Sequence, residues 1–174
     1  MAKTFLMVLL ATIVAAFGSD KRKKENQPDN TPVEVLDLDL FMGDWYELAR
    51  YDHFFERDMD KVTAHYKMRP DGKIDVINRG VKHGKKKEMK GIAWAEDNSG
   101  NGELNVKFFL FPSKYIVMDV GPEYEYAVIG SSSPKYLWVL SRDNQMDPEM
   151  LEGVLLRLSR RGYDIDDLIF INQE

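Results

Sequence analysis

A chain of 174 residues with 44% apolar content is long enough to bury one core and short for two domains. Charged residues make up 30% of it, mixed in sign, and the net charge of −5 argues against non-specific nucleic-acid binding. The chain holds no cysteine, which excludes disulfides, thiolate metal sites and cysteine nucleophiles.

Residues 1–18 read as a signal peptide. Lys3 gives a short positive start, Phe5–Phe17 is an apolar run, and Ala16-Phe17-Gly18 sets small residues at the spacing a signal peptidase reads. The run is short of the ~20 residues a membrane span needs. A bacterial lipoprotein needs a cysteine at its cleavage point, so the expectation is export to a periplasm or to the outside without a cysteine-linked anchor. Residues 19–32, with Lys21-Arg22-Lys23-Lys24 at their start, read as a disordered polar linker. The folded domain is expected over 33–174.

Within it, short strands follow one another. Alternation marks Tyr46–Tyr51, Val62–Met68 and Lys73–Arg79, and Pro70-Asp71-Gly72 makes the last two a hairpin. Further strands are expected at Met89–Glu96, Glu103–Phe111, Tyr115–Val120, Tyr124–Ser131 and Tyr136–Ser141, parted by turns rich in Gly, Pro, Asn and Ser. Asp147-Pro148-Glu149 then opens a helix with an N-cap acid and a first-turn proline. Met150, Leu151, Val154, Leu155 and Leu158 form one apolar stripe, and Gly162 ends the helix. Leu168–Ile171 is a short final extended piece. The expected fold is all-β: an eight-stranded antiparallel up-and-down barrel with the helix packed on its outside. Eight strands enclose space for one small ligand.

Three landmarks give this plan a family. Gly43-Asp44-Trp45 opens the first strand, Tyr126-Ala127-Val128-Ile129-Gly130 lies in the middle, and Leu140-Ser141-Arg142 closes the last barrel strand. In that order the chain resembles the lipocalins over about residues 36–174. The longer texts Gly43–Arg57, Asp75–Gly80 and Tyr136–Arg142 are similar to the bacterial lipocalin and apolipoprotein D branch. The resemblance implies structural roles for Gly43, Trp45 and Arg142. Trp45 is expected to plug the closed end, with Arg142 across its indole face and bonded to nearby carbonyls. It also implies an elongated hydrophobic ligand: a fatty acid, a lysophospholipid or a related lipid.

The phase of each strand selects the side chains that face such a ligand. On the first strand the Trp45 phase turns Glu47, Ala49 and Tyr51 inward. The second offers Ala64, Tyr66 and Met68, and the third Ile74, Val76 and Asn78. The fourth offers Met89, Gly91, Ala93 and Ala95, and the fifth Leu104, Val106, Phe108 and Leu110. Ala127 and Ile129 follow on the seventh, and Trp138 and Leu140 on the eighth. The candidate ligand-binding residues are Tyr51, Tyr66, Val76, Asn78, Met89, Ala93, Phe108 and Trp138. Asn78, Tyr66 and Glu47 are polar groups that orient a ligand head or are satisfied by a partner or water. Phe54 and Phe55, at the open end, form a lid, touch membrane lipid or pack over the mouth as structure.

Catalysis is not expected. Of the three histidines, His53 and His83 fall in loops and His65 faces outward, with no zinc spacing and no Gly-x-Ser-x-Gly elbow. The prostaglandin isomerase among the lipocalins uses a cysteine that this chain lacks. No cofactor or metal is called for. A second reading is a partner-binding module with a largely filled barrel, docking an acidic protein or an anionic membrane surface through the basic Lys82–Lys90 stretch. Either reading suits a monomer or a homodimer.

Overall fold

The computed structural model describes residues 27–96 and 100–174. The expected signal peptide and the first part of the expected linker lie outside the described residues. Eight strands form the barrel: β1 (Gly43–Tyr51), β2 (Met59–Met68), β3 (Ile74–Lys82), β4 (Lys85–Ala95), β5 (Glu103–Lys107), β6 (Ser113–Val120), β7 (Tyr126–Gly130) and β8 (Leu137–Ser141). Each pairs antiparallel with the next, and β8 and β2 both pair with β1, so the sheet closes on itself. A short helix α1 (Leu38–Phe41) precedes the barrel; helix α2 (Pro148–Arg160) and strand β9 (Leu168–Phe170) follow it. The expected eight-stranded barrel with an outer helix is the fold observed. Among the described residues no helix is long and apolar enough to cross a membrane.

The turns and caps follow local chemistry. Gly72 takes φ +79° in the β2–β3 turn, a conformation open to glycine without a Cβ penalty. Asp147 Oδ1 accepts hydrogen bonds from the amides of Glu149 and Met150 at 3.0 and 3.1 Å, capping α2 as its sequence implies. Val154 and Leu158 of α2 are buried against the outer faces of β6, β7 and β8, including Ile116, Met118, Val128 and Val139. The barrel wall therefore has apolar packing on both faces here. That explains why β6 does not alternate: Val117 faces the interior while Ile116 and Met118 meet the helix side.

Four expectations are corrected. First, β4 begins at Lys85, not Met89. His83 and Gly84, at φ 51° and 72°, make a two-residue turn that matches strand twist, so the ladder continues to the Lys82–Lys85 pair. The lysine-rich stretch is a hairpin tip, where both faces meet water and charge carries no strand penalty. Second, β5 ends at Lys107, and Leu110 is 80% exposed where an inward side chain was expected. The chain turns over Phe108–Phe111 ahead of Pro112, which cannot donate to a ladder. Third, residues 29–31 of the expected linker are held: the Asp29 amide donates to the Arg161 carbonyl at 2.7 Å and Asn30 Nδ2 to the Ser131 carbonyl at 2.8 Å. Fourth, a bulge in β1 shifts its pairing with β8 between Glu47 and Ala49. Trp45 and Glu47 face the interior, whereas Ala49 and Tyr51 pack on the helix side. A bulge adds one residue to one strand and reverses the phase beyond it.

The two ends of the barrel differ. At the closed end Trp45 is fully buried and its Nε1 donates to the Phe41 carbonyl at 2.9 Å. The Arg142 guanidinium lies 3.7 Å from the Trp45 ring centroid. It donates to the carbonyls of Leu40, Met42 and Asp44 at 2.6, 2.9 and 2.7 Å, and more weakly to that of Tyr124 at 3.3 Å. Gly43, at φ +96°, lets the chain swing from α1 into β1 beneath this arginine. Along β1, pairing with β2 stops at Tyr46–Thr63, and the C-terminus fills the gap above. β9 pairs with Ala49–Tyr51, and Gln173 Nε2 donates to the carbonyls of both Glu47 and Val62 at 2.7 and 2.9 Å.

Trp45→Ala is expected to cost about 3–5 kcal/mol, as for a large buried aromatic. Arg142→Lys, which keeps the charge but cannot span three carbonyls, is expected to lower stability by less. Urea denaturation of the two variants beside the wild type checks both.

Candidate functional site

The open end leads into a cavity of about 190 Å³. Its aliphatic wall comes from inward positions on five strands: Ala64, Val76, Val106, Ile129 and Leu140. Its aromatic wall is Phe108, Trp138, Tyr136 and Phe55. These rings are ordered by one another. Tyr136 and Trp138 stack at 6.0 Å with an 11° interplanar angle, and Phe55 stacks on His53 at 4.0 Å. Phe108 has room because residue 91 is glycine: a Cβ there would lie 2.6 Å from the Phe108 ring.

The polar side of the cavity is a buried cluster built from β1 and the β1–β2 loop. Arg50 Nη1 donates to Glu47 Oε1 at 2.7 Å, and Arg50 Nη2 to the Glu56 carbonyl at 2.6 Å. Trp138 Nε1 donates to Glu56 Oε2 at 3.0 Å, and His53 Nε2 lies 3.0 Å from the same oxygen without hydrogen-bond alignment. Glu47, Arg50, His53 and Glu56 are all buried. Across the cavity the Tyr66 and Tyr115 hydroxyls meet at 2.7 Å. Burial holds both phenols neutral, above their ordinary range. Asn78 Oδ1 is buried with no hydrogen-bond partner.

A second cavity, also about 190 Å³, shares Phe55, Glu56 and Asn78 with the first and runs beneath the β3–β4 hairpin. The β1–β2 loop thus divides the mouth in two. Phe54 and Phe55 part company there: Phe55 turns into the cavity, and Phe54 is 75% exposed. The β5–β6 loop at the same end exposes Phe109, Leu110 and Phe111 at 69, 80 and 82%.

Of the residues picked from sequence, Tyr66, Val76, Asn78, Phe108 and Trp138 line the first cavity. Met89 lines the second. Ala93 is buried in the barrel core without lining either cavity. Tyr51 lies outside, its hydroxyl donating to the Asp164 carbonyl at 2.8 Å, because the β1 bulge reverses the strand's phase. Gly43, Trp45 and Arg142 sit at the opposite, closed end. Sequence reasoning missed Phe55, Glu56, Tyr115 and Tyr136 as lining residues. The spacing of His53 and Glu56, three apart between two aromatics, was the available signal for the loop cluster. Among the described residues no group of three or more His, Asp or Glu is placed to hold a metal ion.

Burial, with repulsion from Glu56 adding to it, pushes the Glu47 carboxyl up to about 8, against the opposing pull of Arg50. The unfolded chain releases this proton near 4.5, while the folded chain keeps it until about pH 8. Its contribution to stability is complete below the lower value and is lost as pH rises through the upper one. Wild-type stability is therefore expected to fall between pH 5 and 8.5 more steeply than that of Glu47→Gln, measured by urea denaturation across that range. Equal slopes would show that Glu47 ionises normally in the folded state.

A model of the Lipocalin-like domain matches residues 36–173. The chain is 39% identical over 147 residues to the outer membrane lipoprotein Blc of Vibrio cholerae serotype O1, covering 82% of this chain and 86% of that protein. It is 25% identical over 182 residues to apolipoprotein D of Mus musculus, covering 97% and 95%. Insecticyanin from the tobacco hornworm Manduca sexta has the same fold, with a TM-score of 0.70 at 24% identity over 84% of this chain and 85% of that one. The chain belongs to the lipocalin family, in the branch that holds the bacterial Blc proteins and apolipoprotein D.

Proposed function

We propose that this protein is exported and carries or stores a small elongated lipid, a fatty acid, a lysophospholipid or a related amphiphile, in its barrel. The observation that carries this reading is the open-mouthed apolar cavity walled by Phe108, Tyr136 and Trp138. Its volume, about 190 Å³, is below the ~300–1,000 Å³ of pockets that enclose a drug-sized molecule. The cavity therefore takes one end of a chain, and the rest of the ligand occupies the mouth between Phe55 and the β5–β6 loop. No catalytic step is proposed. No pair of a nucleophile with a positioned base is found among the residues that line the site.

A second element of the reading concerns the membrane. The Blc relatives are named outer membrane lipoproteins, whereas these 174 residues hold no cysteine to be lipidated. We propose that export uses residues 1–18 and that membrane contact is made by side chains at the mouth. Supporting this, Phe54 and Phe109–Phe111 are exposed at the same end as Lys85, Lys86 and Lys87. Apolar tips beside lysines suit the boundary of an anionic bilayer.

Extraction of protein purified from its native compartment is expected to yield lipid detectable by mass spectrometry. Trp138→Phe should keep the fold and lose most of the tryptophan quenching by an added brominated fatty acid. Phe108→Ala should weaken binding about tenfold or more. Recovery of no lipid, with no quenching on titration, would sink the carrier reading. Replacing Phe109, Leu110 and Phe111 together by Ser is expected to abolish sedimentation with anionic vesicles. Incubation of producing cells with labelled palmitate is expected to leave the protein unlabelled.

A further inference from the structure

The polar lining of the cavity is unbalanced. Glu47 and Glu56 are both buried, and both face the cavity, as does the unpartnered Asn78 Oδ1. The nearest guanidinium, Arg50, is not among the lining residues, and its two terminal nitrogens are already spent on Glu47 and on the Glu56 backbone. The indole N–H of Trp138 is spent on Glu56. Among the described residues that line the cavity, Lys114 alone carries a cationic side chain, and it is paired with Glu96 and Glu103 at the rim. The Tyr66–Tyr115 pair shares one hydroxyl hydrogen and leaves one for a ligand. Ser113, Ser131, Tyr136 and the Asn78 amide add neutral groups that donate as well as accept, so the site offers two buried carboxyls, neutral polar groups and no lining cation outside the Lys114 pairs.

A buried carboxylate or phosphate oxygen in this cavity would lie beside two carboxyl groups whose guanidinium, Arg50, stands behind them and outside the lining, and such desolvated anions are costly. An ammonium bound here favours the ionised form of Glu47, whose proton passes to solvent, and meets the carboxyls as a charge-assisted donor. A hydroxyl can donate to Asn78 Oδ1 and accept from the free phenol. Resting on the carrier reading above, we propose that the ligand head held in the cavity is a hydrogen-bond donor, an ammonium first and a hydroxyl second, recognised by Glu47, Glu56 and Asn78. Within the lipids named above, this ranks ammonium-bearing amphiphiles over the free fatty acid.

The test compares three ligands with one chain length: dodecylamine, 1-dodecanol and dodecanoate, each below its micelle concentration. They are titrated into the full chain at pH 7.4 with tryptophan fluorescence as the readout. Dodecylamine should bind about tenfold or more tightly than dodecanoate, a difference of ~1.4 kcal/mol or more, with dodecanol between them. In Glu56→Gln, and again in Glu47→Gln, the ratio should shrink, to about threefold or less in the double variant. Dodecanoate binding as tightly as dodecylamine overturns the proposal. So does a ratio unchanged in the variants, which would trace the preference to the net charge of the protein. Equal binding of all three chains removes the head-group assignment and leaves the carrier reading standing, whereas binding of none removes both. If the variants fail to fold, the three-ligand series on the native chain is repeated at high salt, which screens the net charge far more than the buried carboxyls; a preference that disappears there overturns the proposal.

Discussion

The placement of Arg142 over Trp45 is the contact on which the barrel's asymmetry depends. A closed sheet of eight strands has two ends, and water must be kept out of one of them for an apolar interior to persist. Here a single guanidinium closes that end. It stacks on the indole and gathers the carbonyls of Leu40, Met42 and Asp44, so the segment before β1 is tied to the end of β8. Phe41 fills the space beneath, against both Trp45 and Tyr66. With the floor fixed in this way, the cavities found among the described residues open between the loops of the other end, and the residues of those loops decide what enters.

Those loops carry the chemistry that β-strand periodicity does not predict. The Arg50–Glu47 pair, with Glu56 and His53 beside it, is buried in a barrel that could have been filled with aliphatic side chains. Burying such groups seldom adds net stability, because the cost of taking a charge out of water offsets the attraction of its partner. The cluster nonetheless has a structural effect: Arg50 fastens the β1–β2 loop through the Glu56 carbonyl, and Trp138 fastens Glu56 from the far strand. That loop divides the mouth into two cavities. The same contacts that position the β1–β2 loop give the cavity its acidic side.

Much of this fold was legible in the residues. Alternation in β2, β3 and β8 placed Tyr66, Val76, Asn78 and Trp138 on the interior face, and the stripe on α2 placed the helix outside the barrel. What could not be read has definite physical causes. The β1 bulge between Glu47 and Ala49 carries no composition signal, since neither glycine nor proline marks it, and it alone turned Tyr51 outward. The strand at Lys85–Glu88 was hidden because a ribbon with both faces in water has no polarity pattern to follow. Phe108–Phe111 read as a continuing apolar strand, and only the proline at 112 hinted that three of those side chains would sit in solvent. The loop cluster needed tertiary contacts with Trp138, 82 positions away, to be seen at all.

The stitching of the C-terminus across the β1–β2 seam bears on when this protein can fold. Ile171 donates its amide to Leu48, the Lys61 amide donates to Asn172, and Gln173 bridges Glu47 and Val62. These bonds join positions as far as 126 residues apart, and contacts of such long sequence separation are slow to form. A chain in which residues 171–173 have not yet docked lacks the segment that seals its own wall. Until that segment docks, the β1–β2 seam beyond Tyr46–Thr63 has no partner for its backbone, so closure of the barrel waits on the part of the domain farthest along the chain.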